Sequence, residues 1–186
     1  MIPLEDKTDI VFLIDTANGV TAEILAAEKS FVKSLARLFG VSPRGPRGSA
    51  VMYGSNTYTL SRLSEPEFER RVDRASLRGT TRRMDVALER AAQILSNSVG
   101  RKVVVLLTAG KQGSTGKPLE DAILPLRDLG AHTYVVAIGR KPSAQEIAKI
   151  IRGPQEKFQV DSYGRLQLNS QRIATSIQKK PSKSFL

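Results

Sequence analysis

The chain has 186 residues, a length typical of one globular domain with a core of its own. A composition of 40% hydrophobic and 25% charged residues excludes wholesale disorder, and the lack of cysteine excludes disulfides and thiolate metal sites. The net charge of +11 favours an anionic partner, and the lack of any run of about 18 apolar residues excludes membrane insertion.

The first predicted element is a buried strand. Residues 10–14 are apolar, and they are followed by Asp15 and the turn-forming residues 16–19. A wholly apolar run of this length predicts a strand that is buried on both faces, at the centre of a parallel sheet. Asp15 would then lie at the carboxyl end of this strand, where open α/β sheets bind their ligands.

Helical and extended patterns alternate along the rest of the chain. The predicted elements are, in chain order, a helix over 21–39, strands over 49–53 and 57–60, helices over 64–75 and 83–96, a strand over 103–107, a helix over 119–129, a strand over 134–138, a helix over 145–151, a strand over 158–160 and a helix over 166–177. This alternation predicts an α/β fold with a doubly wound, mostly parallel six-stranded sheet and one antiparallel edge strand. We predict one domain over residues 1–178 and a polar, flexible tail over residues 179–186.

No motif indicates catalysis. His132 is the only histidine, and without a cysteine or a second histidine it cannot anchor a zinc site. The loop from Gly110 to Pro118 departs from the spacing of a phosphate-binding loop, and the chain has no G-x-S-x-G motif. We therefore predict that the protein is not an enzyme.

Arginines are concentrated in the segment from residue 70 to residue 83, where Asp73 is the only acid. They are Arg70, Arg71, Arg74, Arg78, Arg82 and Arg83. Guanidinium groups are forked donors that suit sulfate, phosphate or carboxylate. Few aromatic residues lie among them, which argues against base stacking and therefore against single-stranded nucleic acid. We expect no nucleic-acid partner. The cluster predicts a surface that binds an acidic ligand, with a merely solvated face as the alternative.

Three segments resemble the von Willebrand factor type A domain family. They are DIVFLID at 9–15, RRMDVALERA at 82–91 and VVVLLTAG at 103–110, in the order and spacing of the family. The resemblance covers residues 9–177 and is closest to the A domains of collagen VI-like and other extracellular-matrix proteins. It implies the Rossmann-like fold of the family and a secreted, extracellular, non-enzymatic adhesion or assembly module that binds collagen or another matrix protein.

The resemblance also implies a position for a metal-ion-dependent adhesion site. The family uses an Asp-x-Ser-x-Ser motif after the first strand, a threonine in the loop before the third helix and an aspartate in a Thr-Asp-Gly turn. Here Asp15 is retained, but Ala17 and Gly19 stand in place of the two serines and Ala109 stands in place of the second aspartate. These losses imply a degenerate site, with no metal or other cofactor expected and weak Mg²⁺ binding left open.

The threonine position of this site has two readings. Thr81 is a nearby remnant, whereas counting back from Ala87 puts Arg82 in the threonine's place. We hypothesise that Arg82 and Arg83 supply the positive charge that the ion supplies elsewhere in the family, so that an acidic ligand binds directly.

Two other functions stay open from the sequence. One is a module that binds sulfated glycosaminoglycan through the cluster at residues 70–83, which predicts a steep loss of binding as salt increases. The other is an intracellular scaffold, because residues 1–9 lack the basic flank and apolar core of a signal peptide.

Overall fold

A computed structural model describes residues 1–179, so the predicted tail beyond Lys179 lies outside the described residues. The strands are β1 Asp9–Asp15, β2 Arg47–Tyr53, β3 Thr57–Ser61, β4 Lys102–Thr108, β5 His132–Ile138 and β6 Lys157–Val160. The helices are α1 Ala22–Phe39, α2 Phe68–Val72, α3 Met84–Leu95, α4 Leu119–Ala122, α5 Leu124–Asp128, α6 Ala144–Ile150 and α7 Ser170–Gln178. Short 3₁₀ turns cover Pro154–Glu156, Tyr163–Arg165 and Gln167–Asn169.

The six strands form one sheet in the order β3-β2-β1-β4-β5-β6. All neighbouring strands are parallel except β2 and β3, which form an antiparallel hairpin at the edge. The predicted fold class is therefore confirmed. Because β1 pairs with β2 on one side and β4 on the other, the loops after these three strands meet at one edge of the sheet.

The alternating side chains of β1 pack into two separate hydrophobic layers. Ile10, Phe12 and Ile14 contribute to the layer that includes residues of α1 and α7. Val11 and Leu13 contribute to the layer that includes residues of α3 and α5. Successive residues of a strand point to opposite faces, so a run that is apolar at every position is what a strand between two layers of helices requires.

The first helix begins and ends within one residue of its predicted bounds. The Thr21 hydroxyl accepts a hydrogen bond from the Ile24 amide at 3.1 Å, which caps the amino end of α1. Gly40 follows the last turn at φ 76°, and its amide bonds back to the carbonyl oxygens of Ala36 and Arg37.

The prediction of a helix over 64–75 is wrong at both ends, because α2 covers only Phe68–Val72. Glu67 lies three residues after Ser64, which is the spacing of a capping box, but no such box forms. Glu67 adopts a left-handed conformation at φ 61° and makes no side-chain capping bond. Pro66 disfavours helical geometry at the residue before it, so the helix begins only after the proline.

Two further helices differ from the prediction. The expected helix over 119–129 is divided into α4 and α5, because Pro125 has no N–H with which to continue the hydrogen bonds of α4. The expected helix over 166–177 begins as a 3₁₀ turn and becomes α-helical only at Ser170. No helix within residues 1–179 is both long and apolar enough to cross a membrane.

Candidate functional site

The loops that follow β1, β2 and β4 meet around the carboxyl end of β1. The segment between α2 and α3 crosses this end, because the Arg78 and Gly79 amides both donate to the Thr16 carbonyl oxygen, at 3.0 and 3.1 Å. The Asn18 amide in turn donates to the Thr80 carbonyl oxygen at 2.7 Å. The resulting edge contains Asp15, which is fully buried.

Asp15 forms an ion pair with Arg82 inside this edge. The distance from Arg82 Nε to Asp15 Oδ2 is 2.6 Å, and only 7% of Arg82 is exposed. Asp15 Oδ2 also accepts from the Ala109 amide at 2.8 Å, and Oδ1 accepts from the Ala17 amide at 3.0 Å. Both oxygens of the carboxylate are therefore occupied by N–H donors of the protein itself.

The guanidinium group of Arg82 joins two loops to each other. Its Nη2 donates to the Asn18 carbonyl oxygen at 3.0 Å, in the loop after β1, and its Nη1 donates to the Lys111 carbonyl oxygen at 3.3 Å, in the loop after β4. Gly110 makes room for the group, since a Cβ at this position would overlap Arg82 Nη1. One side chain thus fixes the loops around the end of β1.

The surroundings of Arg82 keep its guanidinium group positively charged. Burial by itself would lower the pKa of Arg82, but the neighbouring Asp15 carboxylate raises it, and the net shift is upward. Removing one member of such a buried pair leaves an uncompensated charge, which costs about 3–5 kcal/mol in typical cases.

A second acid, Glu28 of α1, accepts a hydrogen bond from the backbone of Asp15. Glu28 is fully buried, and its Oε1 accepts from the Asp15 amide at 2.8 Å, whereas Oε2 has no hydrogen-bond partner. Burial first, and the charge of Asp15 second, raise the pKa of Glu28 well above its ordinary value of 4.5. Glu28 therefore keeps its proton to a higher pH than an exposed glutamate does.

The residues at this edge do not fit a divalent cation. Magnesium requires about six oxygen ligands, whereas Ala17, Gly19 and Ala109 supply no side-chain oxygen. A guanidinium in contact with the Asp15 carboxylate would also repel a cation. Thr81, the other remnant position, is exposed and has its methyl group beside Gly113. Within residues 1–179, no cluster of three or more acidic or histidine side chains could hold a metal ion.

Arg83, which we hypothesised to bind an acidic ligand together with Arg82, instead forms an ion pair with Asp85 of the same chain. Its Nε and Nη2 bind both oxygens of Asp85, at 2.9 and 2.8 Å. Asp85 accepts a further bond from the Lys117 amide at 2.8 Å. Burial would raise the pKa of Asp85, but the bonds from Arg83 and Lys117 lower it, and the net shift is downward. The charges of Arg82 and Arg83 are thus both paired with buried acids.

The other four arginines of the predicted cluster have different surroundings. Arg70 lies 3.4 Å from Glu67, and Arg71 lies 2.8 Å from Glu65. Arg74 is exposed after the end of α2. Arg78 is exposed at the candidate site. Four of the six arginines, namely Arg70, Arg71, Arg82 and Arg83, are thus paired with acids of the same chain.

Above the buried ion pair lies an exposed surface that we call the loop surface, consisting of Asn18, Arg78, Gly79, Thr81 and Lys111. It contains two cationic side chains and no acid. The Arg78 guanidinium lies 4.3 Å from the centre of the Tyr58 ring, and its Nη2 donates to the Tyr58 hydroxyl at 2.9 Å. Sequence reasoning missed Lys111 and Tyr58, although Lys111 follows a predicted strand whose carboxyl end lies at this edge.

Comparisons with known proteins agree with this fold. The family model described as the von Willebrand factor type A domain matches residues 9–172. The human von Willebrand factor A domain-containing protein 2 is 30% identical over 163 residues, which is 81% of this chain and 20% of that protein. The mouse collagen alpha-4(VI) chain is 24% identical over 149 residues, which is 78% of this chain and 6% of that protein.

Solved structures give the same result at the level of the fold. Proximal thread matrix protein 1 from the mussel byssus superposes with a TM-score of 0.84 at 18% identity, over 95% of this chain and 49% of that one. This chain spans a fifth or less of the two curated relatives, so it corresponds to one part of much longer proteins. The family match over most of its length shows that the chain belongs to the von Willebrand factor type A domain family.

Proposed function

We propose that this A domain is a non-enzymatic adhesion or assembly module of the extracellular matrix, and that it binds collagen or another matrix protein without a metal ion. The similarity to collagen VI chains and to a thread matrix protein supports a matrix partner and an extracellular location. The single observation that carries the metal independence is the ion pair of Arg82 with Asp15.

In this proposal, the ligand binds at the loop surface through an acidic side chain. The buried Arg82 fixes the loops by its bonds to Asn18 and Lys111. The exposed Arg78 and Lys111 then bind the ligand carboxylate. Arg78 is held in place by the ring and hydroxyl of Tyr58, which reduces the conformational entropy that it loses when a ligand binds.

Binding to immobilised fibrillar collagen at physiological salt tests this proposal, with the measurement made once in Mg²⁺ and once in EDTA. We expect the same affinity in both buffers. We also expect the double variant Arg78→Ala/Lys111→Ala to bind about tenfold more weakly, as the loss of two exposed ionic contacts predicts. The matched control is Arg44→Ala/Arg62→Ala, which removes the same charge from exposed side chains at the other end of the sheet.

Each outcome has a defined meaning. Binding that disappears in EDTA would contradict metal independence. Equal losses in the two double variants would contradict the loop surface and indicate a diffuse attraction between charges. If collagen does not bind in either buffer, collagen is excluded as the ligand.

The sequence-predicted cluster at residues 70–83 is the alternative, in which a sulfated glycosaminoglycan binds to its exposed arginines, Arg70, Arg74 and Arg78. Their exposure supports it, whereas the pairing of Arg70, Arg71, Arg82 and Arg83 with acids of the same chain reduces the charge that is available. A large loss of polysaccharide binding in the double variant Arg70→Ala/Arg74→Ala would support this alternative, and a loss of less than about twofold would contradict it.

A further inference from the structure

A second basic site lies at the end of the sheet opposite to the loop surface. It is a groove of about 340 Å³ between the edge hairpin and the last turns of α3. We call it the edge groove, and its lining residues are Arg47, Ser49, Thr59, Arg62, Leu63, Ser64, Arg90, Gln93 and Ile94. Arg47 opens β2, and in a parallel pair the amino ends of β1 and β2 lie together, so the groove is remote from Asp15.

The edge groove contains three arginines and no carboxylate among its lining residues. Arg47 is neutralised by Asp9, which accepts from its Nε at 2.9 Å and from its Nη2 at 2.8 Å. Arg62 is 79% exposed at its side chain and reaches Glu65 only at 4.0 Å. Glu65 is bound more closely by Arg71, at 2.8 Å. The groove therefore keeps most of the positive charge of Arg62.

Arg90 has a charge that no acid balances within the described part of the chain. Its Nη1 donates to Gln93 Oε1 at 3.0 Å, and its Nη2 donates to Thr59 Oγ1 at 3.3 Å. Both acceptors are neutral, so they orient the guanidinium without neutralising it. Because each acceptor uses an oxygen, the Gln93 amide NH₂ and the Thr59 hydroxyl hydrogen stay available as donors to a ligand.

The uncharged residues that line the edge groove indicate which kind of anion can bind there. Leu63 and Ile94 provide apolar surface against which the C–H face of a sugar ring can pack. No aromatic side chain lines the groove, so nucleobases have no stacking partner. Forked guanidinium donors next to hydroxyl and amide donors suit the three terminal oxygens of a sulfate ester on a sugar.

We propose that the edge groove binds sulfate groups of a sulfated polysaccharide, with Arg62 and Arg90 as the charged contacts and Arg47 as a positioning residue held by Asp9. This site is separate from the loop surface, so either site can fail without affecting the inference about the other. It also assigns polysaccharide binding to arginines that lie outside the cluster at residues 70–83.

The test is fluorescence anisotropy with a labelled heparin-derived octasaccharide over a series of salt concentrations. We expect Arg62→Ala/Arg90→Ala to weaken binding about tenfold and to reduce the salt dependence, because two ionic contacts are lost. The matched control Arg70→Ala/Arg74→Ala removes the same charge from α2 and the turn after it, and it should change the affinity by less than about twofold. Arg62→Ala alone serves as a second variant. Because this side chain is exposed, weaker binding by the variant cannot be attributed to loss of folding.

Other outcomes would overturn the proposal. Equal losses in the two double variants would show a diffuse attraction, and a larger loss in Arg70→Ala/Arg74→Ala would place the polysaccharide on the predicted cluster. Equal binding of a desulfated octasaccharide would exclude sulfate recognition. If an oligothymidylate of equal charge binds more tightly and depends on Arg62 and Arg90, the groove is a nucleic-acid site instead.

Discussion

Arg82 and Asp15 are 67 positions apart in the chain, and their contact is the feature on which the candidate site depends. The count from Ala87 places Arg82 at the threonine position of the family motif, so the substitution itself is visible in the sequence. The inward direction of the side chain is not visible, because it depends on the space that Gly110 leaves and on acceptors in two distant loops.

The ion pair predicts a large effect of Arg82→Ala on stability. The variant leaves the Asp15 carboxylate buried without its countercharge, so we expect the free energy of unfolding to fall by about 3–5 kcal/mol. Urea denaturation measures this change. Arg74→Ala is the matched control, and since this side chain is exposed it should stay within about 0.5 kcal/mol of the unmodified protein. A loss of less than about 1 kcal/mol for Arg82→Ala would show that the pair contributes little.

Glu28 predicts a characteristic dependence of stability on pH. The folded protein raises the pKa of Glu28, so it keeps a proton that the unfolded chain releases above the ordinary pKa of 4.5. Stability therefore falls as pH rises from this value toward the folded-state pKa, by up to about 1.4 kcal/mol per pH unit.

Glu28→Gln replaces the protonated acid by an amide of the same shape and removes this dependence. We expect the variant to become more stable relative to the unmodified protein as the pH is raised from about 5 to 7, which urea denaturation at several pH values would detect. A difference in unfolding free energy that stays constant over this range would mean that Glu28 does not titrate as its burial indicates.

Among the helices, the sequence predicts the ends correctly where neighbouring residues of the chain cap the helix. Thr21 and Gly40 fix both ends of α1 by bonds to residues within the same helix, so sequence is sufficient there. The Ser64-x-x-Glu67 spacing of a capping box is misleading, because Pro66 and the left-handed backbone of Glu67 prevent the helix from starting before Phe68. The spacing of apolar residues carries no information about such restrictions on the backbone, so it does not predict where this helix begins.

The start of α3 is tied to the loop over residues 110–118 by a reciprocal pair of bonds. Asp85 Oδ2 accepts from the Lys117 amide at 2.8 Å, and Gln112 Oε1 accepts from the Asp85 amide at 2.9 Å. The sequence of this loop indicates only a poor match to a phosphate-binding loop. The structure shows that the loop is attached to the helix beside the candidate site.

Asp85→Asn should release this attachment. The amide group cannot provide both acceptor oxygens, so we expect a loss of about 1–3 kcal/mol in stability and faster hydrogen exchange at the Lys117 amide. The control is Glu89→Gln, which removes the exposed contact of Glu89 with Lys117 Nζ at 3.1 Å and should cost less than about 1 kcal/mol. Unchanged exchange at Lys117 in Asp85→Asn would contradict the proposed attachment.

For the whole molecule, the fold was predictable because alternation of buried strands and helices leaves few arrangements of a parallel sheet. The site was predictable as a set of missing ligands, Ala17, Gly19 and Ala109, and as an arginine, Arg82, at the threonine position. Restoring them is not a simple reversal, since Gly19 has φ 87° and a side chain there would be strained.

A partial restoration tests whether Arg82 takes the role of the ion. The variant Ala17→Ser/Arg82→Thr/Ala109→Asp removes the guanidinium and adds four side-chain oxygens near Asp15, two from hydroxyls and two from a carboxylate. We expect Mg²⁺ to raise the Tm of this variant, because a bound ligand stabilises the folded state. The unmodified protein should show no change in Tm between Mg²⁺ and EDTA.

The matched control is Ala17→Ser/Ala109→Asp, which adds the hydroxyl at position 17 and the carboxylate at position 109 but keeps Arg82. Its Tm should not respond to Mg²⁺, since the guanidinium stays in contact with the carboxylate. A response equal to that of the triple variant would show that Arg82 does not compete with a metal ion.

The parallel alignment of β1 and β2 has a further consequence for how the domain would act. The loop surface lies at the carboxyl end of these strands and the edge groove at the amino end. β1 has seven residues, so the two sites are separated by roughly 20 Å of strand at about 3.3 Å per residue. The two proposed sites are therefore far enough apart for a protein ligand and a polysaccharide chain to bind at the same time without touching each other. With both ligands bound, the domain would cross-link them, and its attachment to a dense network would be stronger than its affinity for either component.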